Sequence, residues 1–131
     1  MEDMREGWYI DKTGAVYRHD WAIKANPGRG LLRRDFNIGK EVLVGCRILY
    51  ATYGSTWLEG NAYVLLQKDG KLYEVHASHC SCYGLEGQWR PDETSLVALR
   101  HRLRSATREV TPGSTRELLW LLSSLEKIGR V

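Results

Sequence analysis

The chain predicts an α+β domain, an antiparallel sheet of about four or five strands with two C-terminal helices on one face or edge. Three observations carry this. Strand signals run from residue 8 to residue 76, and the long helix signals fall only after residue 91. An Asp69-Gly70 pair joins two runs rich in β-branched and aromatic residues. Leucines then recur at helical spacing through two segments near the end. The 131 residues are 43% hydrophobic and 27% charged, enough to close one core without disulfide or metal staples. A single domain over 1–131 is expected: strand-rich over 8–76, a polar loop over 77–91, and helices over about 92–108 and 114–127.

Trp8-Tyr9-Ile10 and Ala15-Val16-Tyr17 read as the arms of a hairpin around Lys12-Thr13-Gly14. Asn26-Pro27-Gly28-Arg29-Gly30 is dense in turn formers and places a loop over 24–30. Leu31–Ile38 fits either a helical turn or an extended connection. Glu41–Tyr53 reads as one strand, with Val42, Val44, Cys46, Ile48 and Tyr50 on one face and Leu43 and Leu49 on the other. Apolar residues on both faces predict a central strand covered on each side, and Gly45 would permit a bulge or a close approach.

After a loop over 54–60, Asn61–Gln67 and Leu72–His76 form the second hairpin, because Asp69 and Gly70 both tolerate positive φ. Asp92, after Pro91, reads as a helix N-cap. Leu96, Leu99, Leu103 and Ala106 then point inward, with Arg100, His101, Arg102, Arg104 and Arg108 opposite. Ser114-Thr115-Arg116-Glu117 is a capping box. The belt that follows it, Leu118, Leu119, Trp120, Leu121, Leu122 and Leu125, is wider than one core contact needs. It predicts either burial on two sides or a surface for a partner or a second copy.

Lys+Arg total 19 against 16 Asp+Glu, a formal charge of +3 that does not by itself announce a nucleic-acid binder. No run approaches the roughly 18 apolar residues of a membrane span. The polar start Met1–Glu6 predicts no secretory signal. Three cysteines, an odd number, fit reduced thiols in a cytoplasm.

The densest reactive stretch holds His76, His79, Cys80 and Cys82 within seven residues. Each is a zinc-ligand type. On a continuing strand His76, Cys80 and Cys82 share a face at spacings of about 6.6 Å, with His79 opposite. Ligands about 2.0–2.3 Å from one zinc lie closer together than that, so a metal site needs a turn at Ser78 or Ser81. A thiolate nucleophile at Cys80 or Cys82, with His76, His79 or His19 as base, is a second chemistry. A Cys80–Cys82 bridge would close a tight, strained ring. The ordinary reading is architectural: the stretch ends a hairpin, the thiols pack as small hydrophobes, and Trp89 closes over the core. That reading expects no catalytic residue, no metal and no cofactor.

Asp69–Val75, then Ser78-His79-Cys80-Ser81-Cys82-Tyr83-Gly84-Leu85-Glu86-Gly87-Gln88-Trp89 and Pro91-Asp92-Glu93-Thr94, resemble a family of small uncharacterised proteins encoded by bacteriophages and prophages. The resemblance spans about residues 60 to 100 and rests on the His-Cys-Ser-Cys-Tyr-Gly element with its following Gln-Trp. It implies a phage origin and action in a bacterial host cytoplasm. By analogy of setting it implies a non-catalytic accessory protein that binds a host protein, such as an anti-CRISPR-like inhibitor of a bacterial defence system. It carries over no catalytic residue.

Cations concentrate at Lys24, Arg29, Arg33, Arg34, Lys40 and Arg47. They could contact phosphates, with Trp21, Phe36 or Tyr17 stacking on bases, which is the nucleic-acid alternative. An acidic protein surface accounts for them equally well. The partner-binding candidates are therefore Arg29, Arg33 and Arg34, the loop residues Trp57, Tyr83 and Glu86, and Trp120, through which a homo-oligomer could also form.

Overall fold

The computed structural model describes residues 7–23, 25–55, 59–105 and 115–127. The α+β expectation holds, and among the described residues one sheet carries six strands where four or five were expected. These are β1 (Trp8–Ile10), β2 (Val16–His19), β3 (Arg47–Ser55), β4 (Glu59–Lys68), β5 (Lys71–Cys80) and β6 (Asp92–Thr94), and they lie side by side in chain order. Every pairing is antiparallel except β2 with β3, which run parallel from Val16↔Tyr50 to His19↔Tyr53.

Parallel neighbours cannot be joined by a tight turn and need a crossover. The chain supplies one as α1 (Asp20–Ile23), α2 (Arg29–Phe36) and a 3-10 turn over Lys40–Leu43. This crossover packs Trp21, Leu31, Leu32, Phe36 and Leu43 onto Tyr17, Ile48, Ala51, Tyr53, Val64, Leu66 and Val75. The other face takes α3 (Leu96–Ser105) and α4 (Thr115–Lys127), whose Leu99, Leu103, Leu118, Leu121 and Leu122 pack on Trp8, Val16, Leu49, Tyr50, Tyr63, Leu65 and Leu72. The period-two alternation of β4 thus feeds two cores. None of the described helices is long and apolar enough to cross a membrane.

Four expectations are corrected. Glu41–Tyr53 is not one strand. Leu43 anchors the 3-10 turn in the core, Gly45 turns the chain at φ 78°, and extension begins at Arg47. A bulge between Ile48 and Tyr50 then sends those two side chains to opposite cores, while Leu49 and Tyr50 share one. The 24–30 loop is shorter than expected, because α2 already begins at Arg29; it runs to Phe36, taking the helical of the two readings open for Leu31–Ile38, and ends on left-handed Asn37, whose N–H donates to the Arg33 and Arg34 carbonyls.

The third correction is at Asp92, which does not cap a helix. Asp92–Thr94 pairs with Leu72–Glu74 as an edge strand, and Ser95 caps α3 by accepting the Ala98 N–H at 3.1 Å. The open edge of β5 satisfies that backbone before the helix begins. The fourth concerns the loops. The 77–91 loop is shorter than expected because β5 continues to Cys80, and the 54–60 loop shrinks because β3 reaches Ser55 and β4 starts at Glu59. Asp69 and Gly70 take φ 53° and 76°, the turn expected of them. Ala106, Arg108 and Ser114, and the side chain of Leu125, lie outside the described residues.

Tyr17 sits fully buried beneath Tyr9, with ring centroids 6.1 Å apart. Gly28, at φ 99°, comes so close that a Cβ there would lie 2.9 Å from the Tyr9 ring. The Tyr17 hydroxyl is buried and makes no hydrogen bond among the described residues. Burial, and then the Asp11 charge, push its ionisation well above the ordinary tyrosine range. Tyr17→Phe is expected to raise the unfolding free energy by about 1 kcal/mol at neutral pH in urea titrations. Above a pH of about 10 the unfolded tyrosine loses its proton while the folded one keeps it, so stability falls by about 1.4 kcal/mol per pH unit for each such tyrosine. The Tyr17 share of that alkaline loss should vanish in the variant, and an unchanged slope would contradict the assignment.

Candidate binding site

Arg29 and Arg33 stand four residues apart on α2, so they occupy one edge of the helix while Leu31, Leu32 and Phe36 face the core. The 3-10 turn lies alongside. Arg29 donates to the Leu43 carbonyl at 3.0 Å, which ties helix to turn. Arg29, Gly30, Arg33, Lys40, Leu43 and Val44 line an open cavity of about 330 Å³. Three of these residues are cationic, and among the described residues no Asp or Glu lines the cavity. The Arg33 Nε is buried and makes no hydrogen bond among the described residues. Val44 on the rim is 71% exposed. Glu41, the adjacent acid, folds its carboxylate against Gly39 and is not among the lining residues. The arrangement suits an anionic group with an apolar neighbour.

Arg34 does not join this site. It pairs with Asp35 at 3.0 Å, and the same carboxylate accepts the Trp21 indole N–H at 2.8 Å. Trp21, Phe36 and Tyr17, expected as stacking surfaces, are all in the core at 1% exposure or less, because the crossover must bury its large rings to cover the sheet.

The stretch after His76 is organised differently. Gln88 holds it: its Oε1 accepts the Ser78 N–H at 3.0 Å, and its Nε2 donates to the carbonyls of Ser78 and Gly84 at 2.7 and 2.8 Å. Trp89 meets Phe36 edge-on at 5.1 Å and closes one end of the crossover core, as expected. The imidazoles diverge. His79 Nδ1 bonds the Tyr53 hydroxyl at 2.8 Å on the crossover side. His76 packs on Tyr63 and lies 4.0 Å from Glu74 on the helix side. His19 bonds Thr52 at 2.6 Å.

The chain turns at Ser81, one of the two places a metal site would need. That turn brings Cys80 and Cys82 together, with Sγ atoms 3.1 Å apart. No group of three or more His, Cys, Asp or Glu among the described residues could hold a metal ion. The thiols are not packed as small hydrophobes: Cys82 is exposed and Cys80 half-exposed, because the turn projects them beyond the sheet.

Tyr83 is 54% exposed and Glu86 is exposed beside Gly84. Trp120 stays 43% exposed while meeting Trp8 edge-on at 5.7 Å. It lies on α4, across the sheet from Arg29 and Arg33, so these partner-binding candidates do not form one surface. Trp57 lies outside the described residues. A third cluster had no reading in the sequence: Glu74, only 4% exposed, accepts the Tyr63 hydroxyl at 2.6 Å and an Arg102 nitrogen at 2.7 Å on both oxygens. Its signal was an acid on the same strand face as Leu72. Arg102 therefore does not belong to a purely solvated cationic face.

Among known proteins the chain matches no protein-family model, no curated protein and no solved structure. Its function therefore has to follow from the chemistry of its own residues.

Proposed function

We propose that this is a non-catalytic binding protein whose Arg29–Arg33–Lys40 cavity receives a carboxylate-bearing segment of a partner protein. With the phage-family resemblance, the reading extends to an accessory protein that disables a host defence protein in a bacterial cytoplasm. The observation that carries it is the convergence of three cations, without a lining carboxylate, beside exposed Val44. Fixed positive charge steers and orients an acidic partner, and an aliphatic rim adds contact that phosphate alone would not use. Nucleic acid would also answer to these cations. The burial of Trp21, Phe36 and Tyr17 removes the aromatic platform expected of a single-strand binder.

The test is affinity capture from nuclease-treated bacterial lysate with wild type and the triple variant Arg29→Glu/Arg33→Glu/Lys40→Glu. An acidic protein held by wild type should be lost by the variant, with affinity down on the order of a hundredfold. Identical captured sets, or no stoichiometric protein, would sink the proposal. Retention abolished by the nuclease alone would transfer it to nucleic acid.

A further inference from the structure

We propose that Cys80 and Cys82 form a two-electron dithiol–disulfide couple that exchanges with the disulfide of a low-molecular-weight thiol, Cys80 attacking and Cys82 resolving. This site is separate from the cationic cavity and does not depend on what binds there.

The geometry begins with backbone. Strand β5 ends at Cys80, whose N–H donates to the Tyr83 carbonyl at 3.1 Å while the Tyr83 N–H returns to the Cys80 carbonyl at 3.3 Å. This closed turn folds Cys82 back on Cys80 and sets the sulfurs 3.1 Å apart. Gln88 braces the turn from behind by bonding both Ser78 and Gly84. The pair is also asymmetric. The Cys82 N–H donates to Cys80 Sγ at 3.3 Å, so a backbone donor rests on that sulfur. Those contacts, the Cys82 side chain first and its backbone next, draw the Cys80 thiol below the ordinary range, and the same sulfur contact pushes Cys82 up. Cys46 contrasts with both: it is half-buried against the crossover core, its thiol directed at the Val42 carbonyl.

A metal reading fits less well. Two thiolates on one tetrahedral zinc stand about 3.8 Å apart and need two further donors. The imidazoles that could supply them are directed to Tyr53 and toward Glu74. A disulfide couple needs only two sulfurs, and the strain expected of so tight a ring makes the bond readily reduced, as an exchanging couple requires and a structural bridge does not.

The exchange balances without another reactant. The Cys80 thiolate attacks one sulfur of R–S–S–R, the S–S bond breaks, and RS⁻ leaves and takes a proton from water. Cys82 gives its proton to water and attacks Cys80 Sγ, and the second RS⁻ leaves. The protein is oxidised by two electrons and one disulfide is reduced to two thiols; excess thiol reverses the process.

The experiment equilibrates the full chain across reduced and oxidised glutathione, traps free thiols with a maleimide, and reads intact mass. Wild type and Cys46→Ala should each lose two labels in one transition and retain no glutathione. Cys82→Ser, which keeps a donor toward Cys80, should stop as a Cys80–glutathione mixed disulfide. Cys80→Ser, whose remaining thiol lacks the backbone donor that rests on Cys80, should acquire glutathione more slowly than Cys82→Ser at neutral pH. The proposal falls if wild type keeps both labels in fully oxidised glutathione, if it carries glutathione without forming the internal bond, or if the two serine variants react at equal rates. The wild-type titration decides the first two without any variant having to fold.

Discussion

Replacing Trp21, the largest fully buried side chain among the described residues, by alanine is expected to lower the unfolding free energy by about 4 kcal/mol. The indole ring centroid lies 6.0 Å from that of Phe36 and 5.4 Å from that of Tyr53, and its N–H is bonded to Asp35. Helix α1 is a single turn and cannot hold itself in water. Trp21 is what fastens it, and its carbonyl also accepts the Gly28 N–H at 2.8 Å just before α2. The alanine variant therefore loosens the ground on which Arg29 and Arg33 stand, and partner binding should weaken with stability. Trp21→Phe keeps most of the buried area and loses only the indole bond, so about 1–2 kcal/mol is expected. Urea unfolding measures both. A loss below about 1 kcal/mol for the alanine variant would show that the ring is not packed as described.

The second large effect centres on Glu74. Arg102→Ala leaves a buried carboxylate with the Tyr63 hydroxyl as its remaining short contact and a half-exposed His76 4.0 Å away. Removing one partner of a buried pair costs the full desolvation of the other. Arg102 is itself 44% exposed, so solvent already screens part of the interaction and the expected loss is about 2–3 kcal/mol. The double variant Glu74→Leu/Arg102→Leu removes the stranded charge and should recover to within about 1 kcal/mol of wild type. Equal losses in Arg102→Ala and the double variant would mean that the pair is not coupled. The pair also links α3 to β5, so hydrogen exchange in α3 should rise in Arg102→Ala and not in the double variant.

The parts of this fold legible beforehand are those whose cause is local. Positive φ is tolerated by Asp69 and Gly70 themselves, so their hairpin could be read from two residues. The inward leucines of α3 and α4 follow from helical period. Apolar residues on both faces of the 41–53 run pointed to a strand covered on each side, which holds for its second half, where β3 runs. Likewise the four-residue spacing of Arg29 and Arg33 places them on one edge of α2 once that segment is helical.

Other features depend on what a segment meets. Whether Asp92–Thr94 becomes a helix start or a strand turns on the unsatisfied edge of β5, which lies some twenty residues away in the chain. Trp21, Phe36 and Tyr17 looked available for bases because nothing near them in the chain demands burial; the parallel β2–β3 pairing does, by routing the crossover over that face. Arg34 lost its place in the site to Asp35, and Lys40 joined it only when the 3-10 turn lay along α2.

Residue chemistry alone determined the Asp69-Gly70 hairpin, the C-terminal helices, the concentration of cations over residues 24–47 and the presence of neighbouring thiols. Tertiary structure alone decided which cations share a cavity, which rings are hidden, and that Cys80 and Cys82 touch. Secondary structure is selected by neighbours a turn or less away, whereas a site is a coincidence of segments that only packing brings together.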